Sequence, residues 1–176
     1  MLRVIFDTNI YGLLLQERNI FLLEEKIEQD QEFVVYGFSL IRKELRDIPK
    51  TIKFGKSNQR NLILSLYDRL THGRYLNESI KIDRLALKYY NVYRLYGGIH
   101  TWHEMRVDFT LVACATYYNL DIVYSEDKKT LASKTALKAY KHVNSQDNFR
   151  TPTFFTYSDL LLKFDIKKPN GGKNVL

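Results

Sequence analysis

The stretch that decides the fold is LRVIFDTN at residues 2–9, where a short apolar run stops at three polar residues. Branched and aromatic side chains in such a run are typical of a buried β-strand. From Ile10 onward, apolar residues recur at helical spacing, so a helix is expected soon after the polar turn. The carboxylate of Asp7 is therefore predicted to lie at the end of a buried strand, in a turn that leads into a helix.

Outward from this stretch, strand-like and helix-like segments alternate along the chain. Further strands are expected at 33–36, 121–124 and 153–155, with helices between them. Parallel strands need crossover connections, and these pack back on the sheet as helices. We therefore predict an α/β fold of three layers, α/β/α, with a central, mainly parallel sheet of about four to five strands.

Local signals define several of the helices. Gly37 is expected to end the second strand, and Ser39 is expected to cap the helix after it. Thr101 and Glu104 have the spacing of a capping box at a helix start. Another helix is expected over residues 128–140, directly after the third strand.

The length and composition are those of an ordinary globular domain. The 176 residues are enough for one domain, which we expect to span residues 1–165, with a flexible basic tail at 166–176. A lone cysteine, Cys114, excludes an internal disulfide and a paired-cysteine zinc site. No apolar run approaches the roughly 20 residues of a membrane helix, and the first segment lacks the form of a secretory signal. A cytoplasmic location without membrane association is expected.

Four acidic residues from separate segments are predicted to meet at the carboxyl edge of the sheet, where open α/β sheets bind ligands. Asp7 and Asp127 each follow a strand. Glu44 lies about one and a half turns into the helix after the second strand, so it stays near that edge. Asp108 lies in the first two turns of the helix that returns to the third strand, and this helix must begin at the same edge.

Such a cluster needs a compensating cation, because neighbouring negative charges raise one another's pKa. Mg²⁺ and Mn²⁺ prefer oxygen ligands and are held by few carboxylates together with substrate phosphates. A dication of this kind polarises a phosphoryl oxygen and activates water for attack. The four acids therefore predict a Mg²⁺ or Mn²⁺ site for phosphodiester chemistry.

Each acid also has a purely structural interpretation. Asp7 and Asp127 suit the caps of the helices that follow them. Glu44 suits a solvated position with ion pairs along its helix. Asp108 borders an apolar stretch, where a salt bridge with Arg106 is an alternative to a metal. The prediction of a site depends on the combined placement of the four residues.

These segments resemble the motifs of the PIN-domain nucleases, a superfamily that includes the VapC-type toxin ribonucleases. The resemblance spans most of the chain. Residues 4–9 are similar to the first motif, a strand that ends in an acid followed by Thr or Ser. Residues 39–45, 108–115 and 125–127 are similar to the second, third and fourth motifs.

The resemblance implies a function and assigns roles to residues. The acidic catalytic and metal-binding residues would be Asp7, Glu44, Asp108 and Asp127, and the supporting polar residues would be Thr8, Asn9 and Ser125. Glu104 lies four residues before Asp108 and either joins this site or completes its helix cap. The resemblance also implies an endoribonuclease that leaves a 3′ hydroxyl and a 5′ phosphate, a homodimer, and in some members an antitoxin protein as partner.

The formal net charge of +7 and the pI near 9.3 favour an anionic partner, because Lys and Arg release counterions when they bind phosphates. The basic residues beside the proposed site are candidate RNA contacts: Arg42, Lys43, Arg46, Lys128 and Lys129. A solvated helix face explains any one of them equally well.

The sequence also bears on two other functions. A catalytically weak or inactive PIN-like module that binds RNA or a protein is suggested by residues 128–131, which replace the acidic and aromatic residues that often follow the fourth acid. A phosphoryl-transfer enzyme is disfavoured, because Asn9 stands where a haloacid-dehalogenase pattern needs a second Asp and the sequence has no phosphate-binding glycine-rich loop.

Overall fold

The architecture comes from a computed structural model that describes residues 1–166. The tail predicted at 166–176 lies, apart from Ile166, outside the described residues. The secondary structure elements are, in chain order, β1 (Leu2–Phe6), α1 (Thr8–Gln16), α2 (Ile20–Gln29), β2 (Phe33–Phe38), α3 (Ser39–Asp47), β3 (Lys53–Phe54), β4 (Ser57–Asn58), α4 (Gln59–Thr71), β5 (Tyr75–Leu76), α5 (Ile80–Leu95), α6 (Trp102–Tyr117), β6 (Ile122–Tyr124), α7 (Lys134–Gln146), β7 (Thr153–Phe155) and α8 (Tyr157–Lys163).

The central sheet has five strands in the order β5-β2-β1-β6-β7, and every neighbouring pair is parallel. The predicted α/β fold with a parallel sheet is confirmed. The chain adds β2 and β5 on one side of β1, and then β6 and β7 on the other side. Right-handed crossovers therefore place α1–α4 on one face of the sheet and α5–α7 on the other. The crevice between β1 and β6 is therefore the topological switch point at which such sheets bind ligands.

The core explains why β1 and α6 stand at the centre of the molecule. Val4, Ile5 and Phe6 of β1 are almost fully buried, since this strand has neighbours on both sides and helices on both faces. Residues 109–116 of α6 are also buried without a break, because the helix lies between the sheet and α5. Asp108 is thus placed directly before the longest unbroken buried run in any helix of residues 1–166.

Three predicted helix and strand boundaries are wrong. Gly37 does not end β2, which continues to Phe38. The absence of a side chain at Gly37 instead allows Tyr67 to pack here, because a Cβ atom at this position would lie 2.4 Å from the Tyr67 hydroxyl oxygen. Ser39 is the first residue of α3 and provides no side-chain cap. The helix predicted over 128–140 begins only at Lys134, after a loop at 128–133 and with Ser133 as its cap.

The sheet also contains an edge strand that the sequence pattern did not predict. β5 has only two residues and pairs with Gly37 and Phe38, so it is too short to show a periodicity of its own. The small hairpin of β3 and β4 is equally short. The capping box at Thr101 and Glu104 is confirmed.

Within residues 1–166, none of the helices combines the length and the apolar character needed to cross a membrane.

Candidate functional site

Asp7 anchors the candidate site at the carboxyl end of β1. Its backbone is extended, and one carboxylate oxygen accepts a hydrogen bond from the Thr8 amide at 2.7 Å, so Asp7 caps α1 as well. The other oxygen accepts a hydrogen bond from the Ser125 hydroxyl at 2.7 Å. Ser125 directly follows β6, so this bond ties together the two strand ends that form the switch point.

Asn9 completes this connection. Its side-chain amide donates to the Asp7 carboxylate and, at 3.2 Å, to the Ser125 hydroxyl. Its oxygen accepts from the Glu126 amide at 3.1 Å. Three polar residues therefore hold the first carboxylate in one orientation, because each oxygen of Asp7 has fixed donors.

Glu44 reaches the same edge from α3. The hydroxyl of Thr8 donates to a carboxylate oxygen of Glu44 at 2.6 Å, which places this acid against the turn after β1. Glu44 is partly buried and has no ion pair among the described residues. The ion pairs along the helix that would give Glu44 a purely structural role do not form within residues 1–166.

Asp108 is the most strongly perturbed carboxyl group of the four. Burial, followed by the negative charges of Asp7, Asp127 and Glu44, raises its pKa to about 7, although a hydrogen bond from Thr130 acts in the opposite direction. The alternative salt bridge with Arg106 does not form, since Asp108 has no ion pair within residues 1–166. The remaining three acids thus act on Asp108 electrostatically, and no cation among residues 1–166 forms an ion pair with it.

The other two aspartates shift in opposite directions. Burial raises the pKa of Asp7; the hydrogen bonds from Ser125 and Thr8 offset part of this rise, and the charges of Glu44 and Asp127 add to it. Burial also disfavours the ionised form of Asp127, but hydrogen bonds from Thr130 and Lys129 outweigh it and lower its pKa. Asp127 is therefore ionised at neutral pH, beside an Asp108 that is partly protonated there.

Thr130 is a site residue that the sequence prediction missed. Its hydroxyl donates to Asp127, and its amide donates to the other oxygen of Asp127 at 2.8 Å. The hydroxyl also contacts Asp108. The helix predicted over residues 128–140 is absent at this position, because α7 begins only at Lys134. The loop at 128–133 instead folds back on Asp127, whose carbonyl accepts from the Ala132 amide at 2.8 Å.

The donor set suits a hard dication, although the side chains do not form a closed metal site. Among the described residues, no group of three or more His, Cys, Asp or Glu side chains could hold a metal ion as they stand. Asp7, Glu44 and Asp127 each accept a hydrogen bond from a neighbouring hydroxyl. The available donors are nevertheless all oxygens, which is the ligand type that Mg²⁺ and Mn²⁺ prefer.

Glu104 lies outside this cluster. Its carboxylate accepts from the amide and the hydroxyl of Thr101 at 2.7 and 2.8 Å, and the residue is exposed. It is not among the main causes of the pKa shifts of Asp7 or Asp108. Of its two predicted roles, the structure shows the helix cap.

The candidate RNA contacts differ in their availability. Arg42 forms a two-point ion pair with Asp68 of α4, with distances of 3.1 and 3.0 Å. This bond directs its guanidinium toward α4. Lys43, Arg46, Lys128 and Lys129 are the remaining candidates, and all four are exposed.

Comparison by sequence finds no match: no protein-family model fits the chain, and no curated protein is similar to it. Solved structures do match. FitAB bound to the IR36 DNA fragment has a TM-score of 0.56 and 15% identity, over 88% of this chain and 94% of that chain. VapBC2 from Rickettsia felis, bound to a DNA fragment from its promoter, has a TM-score of 0.53 and 12% identity, over 88% of this chain and 98% of that chain. These matches show the fold of this chain, which is PIN-like, as the sequence resemblance implied.

Proposed function

We propose that this chain is a divalent-metal-dependent endoribonuclease that hydrolyses RNA phosphodiester bonds at the four-carboxylate cluster. The observation that carries the proposal is the environment of Asp108, where three other acids act on a partly buried carboxyl group without a compensating protein cation. Maintaining such a cluster costs folding free energy. A bound dication would explain why the cluster is tolerated, and the position of the strand ends at the carboxyl edge of the sheet supports the proposal.

Asp7, Glu44, Asp108 and Asp127 would hold Mg²⁺ or Mn²⁺. When bound, the ion would polarise a phosphoryl oxygen and lower the pKa of a coordinated water. The protein residues would orient the ligands: Ser125 and Asn9 hold the carboxylate of Asp7. Exposed Lys128 and Lys129, which follow Asp127 directly, would contact substrate phosphates.

The test is cleavage of an unstructured RNA by the purified protein with Mn²⁺, with Mg²⁺ and with a chelator. We expect cleavage only with metal, and a loss of at least about a hundredfold in Asp7→Asn and in Asp108→Asn, because each variant removes a metal ligand. Asp83→Asn is the matched control. Asp83 is an exposed acid in the first turn of α5, and this variant should cleave like the wild type.

Two results would contradict the proposal. If Asp7→Asn cleaves RNA at the wild-type rate, the carboxylate cluster does not take part in cleavage. RNA binding without cleavage and without metal dependence would favour the second candidate, a PIN-like module that binds RNA or a protein. The hydrogen bonds that occupy three of the four acids are the observation that favours this second candidate.

The structural neighbours extend the proposal to partners. Because both are toxin–antitoxin proteins, we propose an antitoxin protein as a binding partner of this chain. A homodimer and a cytoplasmic location belong to the same proposal. The test is co-expression with the reading frame next to the gene, followed by size-exclusion chromatography with light scattering. A protein that is monomeric and that binds no product of the neighbouring reading frame would contradict both the homodimer and the antitoxin complex.

A further inference from the structure

Helix α7 has a strongly basic face. Lys134, Lys138 and Lys141 are spaced four and three residues apart, so they share one side of the helix, and all three are exposed. The helix contains no acidic residue, and none of these lysines forms an ion pair among the described residues. A row of uncompensated positive charge therefore runs along α7.

This row lines a cleft between α7 and the end of α5. The cleft has a volume of about 600 Å³ and is bounded by Tyr96, Lys134, Thr135, Lys138, Lys141 and His142. Tyr96 and His142 form its far end, where the tyrosine hydroxyl and the His142 Nδ1 atom are 2.8 Å apart. The cleft combines three cations with an aromatic ring, and Tyr96 is 46% exposed.

The basic cleft adjoins another cleft that lies beside the candidate active site. A second cleft of about 380 Å³ shares Lys134 with it and is also lined by Lys128, Phe155 and Ser125. Ser125 is the residue that donates to Asp7. The two clefts meet at Lys134, so together they form a path lined by lysines that extends from Ser125, beside the carboxylate cluster, along α7 to Tyr96.

We propose that this path, the α7 track, binds the backbone of single-stranded RNA on one side of the bond that is cut. The proposal rests on the proposed function and deepens it by assigning the substrate-binding surface. Lys134 and Lys141 are separated by about 10 Å along the helix axis, far enough apart to contact different phosphates of one strand. Lysine contacts of this kind bind phosphates without regard to base sequence.

The aromatic rings distinguish RNA from an acidic protein segment as the ligand. Phe155 lies near the start of the track and Tyr96 at its end, and they are 38% and 46% exposed. Bases stack on such rings with about 1–3 kcal/mol each, whatever their identity. An acidic peptide would use the lysines but would gain nothing comparable from the rings. Cations flanked by two exposed rings therefore fit a single-stranded nucleic acid.

The experiment measures RNA binding in the Asp7→Asn background, so that cleavage does not interfere. Lys138→Gln/Lys141→Gln is compared with Arg18→Gln/Arg74→Gln, which removes the same charge from exposed positions outside α7. Gln keeps the helix propensity of Lys. Fluorescence anisotropy with a labelled, unstructured RNA should show binding weakened by about tenfold in the α7 variant, and a salt dependence reduced by about 1.4 in log–log slope.

The outcomes separate this proposal from the proposed function. Equal weakening in both double variants would mean that net charge alone matters, and unchanged binding in the α7 variant would mean that RNA lies elsewhere; either result overturns the α7 track. Competition by polyglutamate as effective as that by RNA would overturn it in favour of an acidic protein. If Asp7→Asn retains cleavage while the α7 variant binds RNA weakly, the nuclease site is wrong and the α7 track stands.

Discussion

At the scale of single residues, hydroxyl groups organise the candidate site. Thr8 holds Glu44, Ser125 holds Asp7, and Thr130 holds Asp127. A hydroxyl is suited to this position, because it donates to a carboxylate without adding charge. These small polar neighbours determine where the oxygens of Glu44, Asp7 and Asp127 point, and Thr130 also contacts Asp108.

Thr130→Val tests this role, because valine keeps the shape of threonine and removes the hydroxyl. We expect Mn²⁺-dependent cleavage to fall by roughly 10- to 100-fold, as is usual when a group that orients a metal ligand is lost. The apparent affinity for Mn²⁺ should weaken, and excess Mn²⁺ should restore part of the rate. Thr130→Ser keeps the hydroxyl and should retain most activity, whereas equal defects in both variants would assign Thr130 a packing role alone.

At the scale of secondary structure elements, β2 depends on the absence of a side chain at one position. A Cβ on Gly37 would stand 2.4 Å from the hydroxyl oxygen and 2.9 Å from the Cζ atom of Tyr67. Tyr67 is held in place because its hydroxyl donates to the Phe38 carbonyl at 3.0 Å. The packing of α4 on β2 therefore requires glycine at position 37.

Gly37→Ala should consequently lower the free energy of unfolding by about 1–3 kcal/mol, the usual cost of an overpacked core position. Urea unfolding followed by circular dichroism gives this value. Gly12→Ala is the control: it lies within α1, and nothing stands within 4 Å of its Cβ position. Alanine should stabilise this helix by about 0.5–1 kcal/mol. A neutral Gly37→Ala variant would show that Tyr67 moves aside freely.

At the scale of the whole molecule, the carboxylate cluster lowers the stability of the metal-free protein. The pKa of Asp108 is raised to about 7, so the folded state binds more protons than the unfolded state between the usual pKa of an aspartate and this value. Stability therefore falls as the pH rises through that interval. The cost is at most about 4 kcal/mol at pH 8, and a bound dication would remove much of it.

This dependence predicts a result for the intact protein. In the presence of a chelator, Asp108→Asn should unfold at a higher temperature than the wild type at pH 8, and the difference should shrink toward pH 4. Mn²⁺ should raise the unfolding temperature of the wild type at pH 8, because binding to the folded state stabilises it, and should raise that of Asp108→Asn less. A wild type more stable at pH 8 than at pH 5 without metal would contradict this account of Asp108.

The sequence by itself determined the fold class and the candidate acids. Strand and helix periodicities are local patterns in the sequence. Asp7 follows the carboxyl end of its strand, so it lies at the carboxyl edge of a parallel sheet whatever the position of that strand in the strand order. The chain connections then place Glu44, Asp108 and Asp127 near the same edge. These features follow from chain order, so they were predictable.

Only the tertiary structure decided the elements and contacts that arise between distant segments. β5 exists because β2 offers it an edge, Gly37 is needed because Tyr67 arrives from α4, and Thr130 reaches Asp108 because its loop folds back instead of forming a helix. No local pattern encodes such contacts, since their free energy depends on a neighbour supplied by another part of the chain.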